Sequence, residues 1–478
     1  MLNDPRMQCA STSTHLHSPE YHKSRDHENT PHAEASMHAR RHSISSFSDL
    51  GMPSLFGSYA PTPPLAHTVG GHYDNSVRGY FISQMATGVN RKISAASARA
   101  HTRRAKKSNS SQLPSGILGT ALAVFFIGFL AWAYKVIQPP PPKICGTPDG
   151  PPITAPRIKL RDGRHLAYKE YGVSKDAAMY KIIYVHGFDN CRHDAVLAEA
   201  LSPGIVEEMG IYILSFDRPG YGESDHDPKR TLKSIALDIE ELADQLVLGS
   251  KFYVVGFSMG GQIVWNCLKY IPHRLAGVGL VAPVVNYWWP GLPANLTTEA
   301  YGQQNIQDQW ALRVAHYVPW LTYWWNTQQW FPGSSVISGN PHIFSREDKE
   351  ILAKMPSRKS YRIRQQGEYE SLHRDLNIGF GNWEYSPLHL ENPFPNSEAS
   401  VHIWQGDDDV MVPVTLQQYI AQKLPWIIYH ELPGSGHLFP LADEVESISP
   451  HVRNEELVID VIDYDHGVFD SKDMVNRF

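Results

Sequence analysis

The chain has 478 residues, of which 42% are hydrophobic and 19% charged, and its formal net charge at pH 7 is −6. This length is enough for one large domain with additional segments, and the acidic balance gives no reason to expect nucleic acid as a partner. The four cysteines have neither the C-x-x-C spacing of a zinc site nor the density of a disulfide framework. We therefore expect no bound metal and no cofactor.

Residues 1–115 are rich in Ser, His, Arg and Pro and contain few long apolar runs. A segment of this composition cannot bury enough apolar surface to form a core, so we expect it to be disordered. Its histidines follow no regular spacing, which favours a solvated tail over a metal-binding tract. No apolar stretch follows the first Met, which argues against a cleaved signal peptide.

The next segment, residues 116–138, predicts a transmembrane helix. Ile117 to Tyr134 include no charged residue and would extend for about 27 Å as a helix, close to the thickness of the hydrocarbon core. Several Arg and Lys residues precede this segment, whereas few follow it closely, so the positive-inside rule places the N-terminus in the cytoplasm. We expect a single-pass protein of an endomembrane or the plasma membrane rather than of the plastid.

Residues 139–155 begin with four consecutive prolines and predict a stiff linker. Beyond it, β-branched runs alternate with helical patterns, which is typical of a parallel sheet covered on both faces. The exception is an initial hairpin, which Asp162-Gly163 indicates. Buried strands are expected at 181–185, 211–216, 252–255, 276–281, 401–404 and 427–432, and helices at 232–246, 259–270 and 416–424.

These elements fall into two parts of one α/β domain, 156–284 and 400–478. Between them, residues 285–399 form an expected cap insertion, which is unusually aromatic and includes YWW at 287–289 and again at 323–325. The rings would pack the cap's own core or line an apolar pocket over the site, and both can hold at once.

The stretch GFSMG follows a predicted strand and begins a predicted helix. Gly256 and Gly260 would let this tight turn form without a side-chain collision, and Ser258 would stand at its apex at the C-terminal edge of the sheet. A serine hydroxyl needs a base, and the base needs an orienting group. The acidic loop 407–409 and His437 follow later strands in the order that this topology requires.

An acyl-transfer site also needs backbone donors for the oxyanion. We expect one from the amide of Met259, the residue after the nucleophile. The other is expected from the amide of Phe188, in the loop that follows a predicted strand. His186 and Gly187 would shape that loop, and we do not expect His186 to act as a second base.

Taken in order, these motifs resemble those of the α/β-hydrolase superfamily: HGF at 186–188, SFDRPGYGESD at 215–225, GFSMGG at 256–261, GDDDVMVP at 406–413 and GSGH at 434–437. The whole chain looks like a plant group of membrane-anchored members. The resemblance implies an α/β-hydrolase fold with a helical cap, and it selects Asp409, three residues after the glycine, over Asp407 and Asp408. A serine at this turn implies acyl transfer, that is, hydrolysis of an ester, thioester or amide, or transfer to an alcohol.

We expect a membrane-anchored serine hydrolase, similar to carboxylesterases and lipases, that acts on a small-molecule or lipid-like, hydrophobic ester through an acyl-enzyme on Ser258. An acyltransferase and a ligand receptor with little turnover are the alternatives, and the oligomeric state is left open. One departure from the resemblance concerns the C-terminus. Superfamily members usually end in a helix packed on the sheet, whereas Glu455 to His466 reads as an acidic, strand-like, atypical tail.

Overall fold

The computed structural model describes residues 115–355, 360–444 and 454–462. Residues 1–114, for which we expected disorder, lie outside the described residues. Eight strands form one sheet in the order β1-β2-β4-β3-β5-β6-β7-β8. They are β1 (Arg157–Lys159), β2 (His165–Gly172), β3 (Tyr180–Val185), β4 (Ile211–Phe216), β5 (Phe252–Phe257), β6 (Leu275–Val281), β7 (Val401–Gly406) and β8 (Ile427–Leu432).

The sheet is mostly parallel. β1 pairs antiparallel with β2, as the hairpin pattern predicted, and β2 also pairs antiparallel with β4, which was not predicted. All further neighbours, from β4 to β8, run parallel. Every residue of β4 is buried, because a parallel strand covered on both faces carries apolar side chains on both sides. The predicted fold class is thereby confirmed.

Helices cover both faces of the sheet. One apolar cluster joins the sheet to side chains such as Ile239, Val264 and Leu416, and a second joins its other face to side chains such as Leu197 and Val461. The α-helices are α1 (Ser115–Ile137), α2 (Val196–Ala200), α3 (Pro203–Met209), α4 (Leu232–Gln245), α5 (Met259–Tyr270), α6 (Ala294–Gln303), α7 (Ile306–Tyr317), α8 (Thr322–Thr327), α9 (Ser335–Ser338), α10 (Arg346–Lys354), α11 (Ser360–Ile363), α12 (Arg374–Gly379), α13 (Val414–Lys423) and α14 (Asn454–Ile462). Short 3₁₀ turns lie at Pro272–Arg274, Pro319–Leu321, Pro341–Ile343, Pro387–His389 and Phe439–Glu444, and one π turn lies at Tyr369–His373.

A long insertion separates β6 from β7 and contains the helices α6 to α12. We call it the cap. Its helices are short, and α7 with 12 residues is the longest of them in the described part. It lies above the C-terminal ends of β5, β6 and β7, since residues of α7 and α12 line the same cavity as Ser258. The cap therefore encloses the sheet edge at which the predicted site lies.

Residues Asn454–Ile462 form a helix, so the strand-like interpretation was wrong for them, and residues 463–466 of that prediction lie outside the described residues. Helix α14 contributes buried side chains at helical spacing: Leu457, Val458, Val461 and Ile462. Several of these residues are β-branched and therefore suggested a strand, although the apolar residues recur with the helical period of 3.6 residues. The helix lies close to β6, where a Cβ on Gly277 would be 2.7 Å from the carbonyl oxygen of Val461. The helix that the resemblance called for is thus packed on the sheet.

Helix α1 stands apart from this core. Its stretch Leu118–Ile137 has a mean hydropathy of 1.9, and none of that stretch is buried. The side chain of Phe125 is 74% exposed. By length and composition the helix is able to cross a membrane.

Candidate active site

Ser258 occupies the turn between β5 and α5. Its backbone has φ 55° and ψ −118°, a conformation that non-glycine residues rarely adopt and that costs of the order of 1–3 kcal/mol. The flanking glycines permit the turn. A Cβ on Gly256 would lie 2.5 Å from the carbonyl oxygen of Gly260, and one on Gly260 would lie 2.1 Å from that of Val185. Sequence reasoning placed both glycines and the serine in this turn, and the structure has them there.

Three of the predicted site residues form one hydrogen-bonded chain. The Oγ of Ser258 lies 3.0 Å from Nε2 of His437, and Nδ1 of His437 lies 2.7 Å from Oδ2 of Asp409. All three side chains are buried. They come from the loops after β5, β7 and β8, which meet because the carboxyl ends of parallel strands share one edge of a sheet.

Both oxygens of the Asp409 carboxylate accept hydrogen bonds. Its Oδ1 accepts hydrogen bonds from the amides of Met411 and Val412, both at 2.9 Å. Its Oδ2 accepts from Nε2 of Gln405 at 2.9 Å as well as from His437. A carboxylate with four donors is fixed in orientation and remains an acceptor only. The neighbouring Asp407 and Asp408 are exposed instead, and they do not join this chain of contacts.

The pKa of His437 is raised above its ordinary value of 6.5. Burial alone would lower this pKa, because it disfavours the charged imidazolium. The negative charge of Asp409, its hydrogen bond and the charge of Asp348 together outweigh burial. The site thus favours a protonated ring, which is the state that a base reaches after it takes a proton.

The predicted oxyanion loop approaches the serine turn closely. A Cβ on Gly187 would lie 3.2 Å from Cβ of Ser258, so the backbone there passes directly beside the serine. The amide of Met259 is the first in α5, where an amide has no acceptor within the helix. Phe188 and Met259 both line the cavity next to Ser258.

His186 is hydrogen-bonded to the backbone of the predicted oxyanion loop. The amide of Arg218 donates to Nε2 of His186 at 3.1 Å, which leaves Nδ1 to donate to the carbonyl of Gly187 at 2.9 Å. The guanidinium of Arg218 donates to the same carbonyl at 2.8 Å. Both ring nitrogens of His186 are therefore occupied by backbone groups.

The DRPGYG turn after β4 contains buried ion pairs. Arg218 and Arg230 each lie 2.6 Å from a carboxylate oxygen of Asp375 in cap helix α12. The hydroxyl of Tyr221 donates to the same carboxylate at 2.8 Å. Asp217 pairs with Arg192 on the other side of the turn. The turn therefore joins the cap to the sheet domain.

Two cavities adjoin Ser258. The smaller, of about 110 Å³, is mainly apolar and runs beneath the cap between Met259 and Phe380. The larger, of about 480 Å³, has a polar rim on which Arg364 forms an ion pair with Asp189 at 2.8 Å. A group bound at Ser258 can thus extend in two directions, one apolar and one partly polar.

Both expectations for the aromatic cap residues are met in part. Tyr287 stacks on Phe380, and both rings line the apolar cavity. Trp288 stacks on His316 instead and packs within the cap. Others are exposed, among them Trp330 at 76%. The rings therefore divide between the cap's own packing, the cavity wall and the surface.

The cap also contacts the loop of His437, which sequence reasoning missed. Glu347 and Asp348, at the beginning of α10, accept hydrogen bonds from backbone amides of that loop. The pattern S-x-x-D starting at Ser345 predicts a helix N-terminus. Nothing local to it indicates a contact with a loop 89 residues further along the chain.

One group of side chains in the described residues has the composition of a metal site. It consists of His402, His430 and Asp460. Nδ1 of His402 lies 2.9 Å from Nε2 of His430, a distance that a hydrogen bond between the two rings accounts for. Burial lowers the pKa of His402 to about 3. His402 lies early in β7, away from the strand end that carries Asp409, so the group is separate from the serine site.

A mostly parallel sheet of this order, with a serine at the turn between β5 and α5, defines an α/β hydrolase. Residues 182–448, more than half of the chain, match the profile of the alpha/beta hydrolase family, and the chain belongs to that family. A curated relative from Arabidopsis thaliana, described as "Probable lysophospholipase BODYGUARD 1", is 21% identical over 281 residues. The match covers 55% of each protein, so the chain spans about half the length of this relative.

Two solved structures resemble part of this chain at low sequence identity. An esterase from Thermogutta terrifontis is 20% identical, with a TM-score of 0.43, over 65% of this chain and 100% of its own. An esterase from Exiguobacterium antarcticum is 18% identical, with a TM-score of 0.43, over 64% of this chain and 99% of its own.

Proposed function

We propose that the protein is a serine hydrolase that cleaves a hydrophobic ester through an acyl-enzyme on Ser258. The observation that carries this proposal is the continuous chain of hydrogen bonds from Ser258 through His437 to Asp409. Nε2 of His437 takes the proton of the serine hydroxyl as Oγ attacks the ester carbonyl. Asp409 holds the ring in the required tautomer and stabilises its positive charge.

The oxyanion of the tetrahedral intermediate accepts hydrogen bonds from the amides of Phe188 and Met259. The approach of the Gly187 backbone to Ser258 supports this assignment. When the intermediate collapses, the alcohol leaves with the proton from Nε2 of His437. Water then attacks the acyl-enzyme by the same sequence of steps, and the acid departs.

The shape of the site supports an apolar acyl group. The cavity of about 110 Å³ is lined mainly by aliphatic and aromatic side chains, and it ends at Ser258. Its polar exceptions include Asp308, whose carboxylate already accepts hydrogen bonds from Ser334 and from the amide of Ser335. The "lysophospholipase" in the name of the Arabidopsis thaliana relative agrees with a lipid-derived ester.

We also propose that α1 anchors the enzyme to a membrane, with residues 139–155 as the linker to the catalytic domain. The apolar surface of α1 supports this assignment, because none of its 20-residue apolar stretch is buried and so large an exposed apolar surface is unfavourable in water. The charge asymmetry around the helix supports a cytoplasmic N-terminus. Extraction of cell membranes with carbonate and then with detergent tests the anchor. Release by carbonate alone would contradict it.

The test of the catalytic proposal is labelling of the full chain in detergent micelles with a fluorophosphonate probe. We expect labelling of the wild type and its loss in Ser258→Ala and His437→Ala. Ser338→Ala, at the rim of the larger cavity, is the matched control and should label normally. Folded wild-type protein that is neither labelled nor active on p-nitrophenyl esters of short and long acyl chains would refute the proposal.

A further inference from the structure

The loop that carries His437 is attached to the cap as well as to the sheet domain. The amide of His437 donates to Oδ2 of Asp348 at 3.1 Å, and the amide of Leu438 donates to Oδ1 of the same carboxylate at 2.6 Å. The amide of Gly436 donates to Oε2 of Glu347. Three consecutive backbone amides therefore bind two neighbouring carboxylates of cap helix α10.

Asp348 caps the beginning of helix α10 and also binds the loop that carries His437. Its Oδ2 also accepts the amide of Ser345 at 3.0 Å, while the Oγ of Ser345 accepts the amide of Asp348 at 3.1 Å. These reciprocal bonds are the capping box that begins α10. Because one fully buried carboxylate completes both structures, the loop and the helix end form a single unit.

The loop fits this helix end only because residue 436 is glycine. A Cβ there would lie 2.3 Å from Oγ of Ser345 and 2.5 Å from Oδ1 of Asp348. The backbone thus rests directly on the capping box. A displacement of α10 would therefore be transmitted to His437 through the short, buried side chains of Ser345 and Asp348.

We propose that Asp348, assisted by Glu347, is a positioning residue through which the docked cap sets the geometry of His437. This inference rests on the proposed function of His437 as the general base. The imidazole must lie within hydrogen-bonding distance of Ser258 and Asp409 at once, and a misplacement of about 1 Å can cost roughly 100-fold in rate. Loss of the contacts between α10 and the loop would not remove Ser258, His437 or Asp409. It would remove the support that the cap gives to the loop that carries His437.

The charges around His437 provide a second readout. The groups that face it are Asp409 after β7, Asp348 and, through the Gly436 amide, Glu347 of α10, and the neutral hydroxyl of Ser258. The charge of Asp348 is among the causes that raise the pKa of His437. A neutral residue at 348 should therefore move the rising limb of the pH–rate profile to lower pH, which loss of packing alone would not do.

The experiment compares Asp348→Asn with Glu350→Gln in the full chain in detergent micelles. Both variants lose one negative charge from α10, but Glu350 lies at the surface, where it pairs with the exposed Arg346. Asparagine keeps the shape of aspartate and replaces one acceptor oxygen by a donor, which then faces a backbone amide. The rate of fluorophosphonate labelling, the kcat and KM for a p-nitrophenyl ester, and the thermal unfolding midpoint are measured across pH.

We expect labelling and kcat of Asp348→Asn to fall about 10- to 100-fold with little change in KM, together with a rising limb at lower pH. Glu350→Gln should match the wild type. A displaced His437 should lower the labelling rate by far more than twofold. A folded Asp348→Asn whose labelling rate is within about twofold of that of Glu350→Gln would therefore overturn the inference and leave the proposed function intact.

Should Asp348→Asn fail to fold, Glu347→Ala decides, with Glu350→Ala as its control. Glu347→Ala removes the acceptor of the Gly436 amide and leaves the capping box of Ser345 and Asp348 in place, so we expect a smaller loss of kcat. Labelling of Glu347→Ala equal to that of Glu350→Ala would overturn the inference. A folded wild type without labelling would remove the proposed function, and the inference with it.

Discussion

Replacement of Asp409 by Asn tests its proposed role as the carboxylate that orients His437. The carboxylate has four donors around it: the amides of Met411 and Val412 on Oδ1, and Gln405 and His437 on Oδ2. An asparagine that keeps its oxygen on the two backbone amides must turn its NH₂ group toward His437. The ring then accepts at Nδ1 and carries its proton on Nε2, from which it cannot take the proton of Ser258.

The opposite rotamer places the NH₂ group against two backbone amides, which leaves donors without acceptors and costs about 1–3 kcal/mol for each buried group. The wrong tautomer is therefore the preferred state. We expect kcat to fall by roughly 10³- to 10⁴-fold, as it does in serine proteases that lose the orienting carboxylate. Stability should change much less.

The assay is hydrolysis of a p-nitrophenyl ester together with the rate of fluorophosphonate labelling. Asp408→Asn is the matched control, because this exposed neighbour lies in the same loop. It should retain wild-type rates. The expected loss of rate is far larger than tenfold. An Asp409→Asn variant whose hydrolysis rate is within tenfold of the wild-type rate, or an Asp408→Asn variant that loses as much rate as Asp409→Asn, would refute the tautomer reasoning.

Four further predictions concern His437, Gly260 and Asp375. Because the pKa of His437 is raised above 6.5 and the base acts as neutral imidazole, kcat/KM should fall as pH decreases through a midpoint above 6.5; a midpoint below about 6 would contradict this. The same shift acts on stability with the opposite sign: the protonated ring stabilises the fold below pH 6.5, and this contribution is lost as pH rises through the folded-state pKa, which a comparison of urea unfolding with His437→Gln can detect. Gly260→Ala should lower stability by about 1–3 kcal/mol and abolish labelling, since its Cβ would overlap the carbonyl of Val185; normal labelling would argue against the close packing at this turn. Asp375→Asn removes the carboxylate that the buried guanidinium groups of Arg218 and Arg230 share, so thermal unfolding should show a free energy of unfolding lower by about 3–5 kcal/mol. Glu350→Gln, which changes a surface ion pair, should leave the free energy of unfolding almost unchanged.

Much of the sheet domain could be predicted from the sequence because its signals are local. The run Ile211–Phe216 is apolar except for Ser215 and is a fully buried strand, with the predicted boundaries. The turn at Ser258 could be located from two glycines between a strand and a helix. These patterns depend on residues within a few positions of each other, so no tertiary information was needed.

The parts that could not be predicted depend on distant contacts. Helix α14 contains β-branched residues that favour a strand in isolation, and its packing against β6 determines the helix. The short helices of the cap have weak individual patterns. The contact between Asp348 and the His437 loop joins segments that only the complete fold brings together, and the capping-box signature at Ser345 gives no information about it.

The two cap carboxylates support opposite sides of the site. Asp375 in α12 binds Arg218, and Arg218 in turn donates to the carbonyl of Gly187 in the proposed oxyanion loop. Asp348 in α10 binds the backbone of the loop that holds His437. Each half of the site, the proposed oxyanion loop and the proposed base loop, therefore reaches the cap through buried charge-assisted bonds, which are about twice as strong as neutral ones. Ser258 depends on neither, since its turn is fixed by the sheet and by two glycines. A change in the cap should thus impair the groups that act on the serine while leaving the serine itself in place.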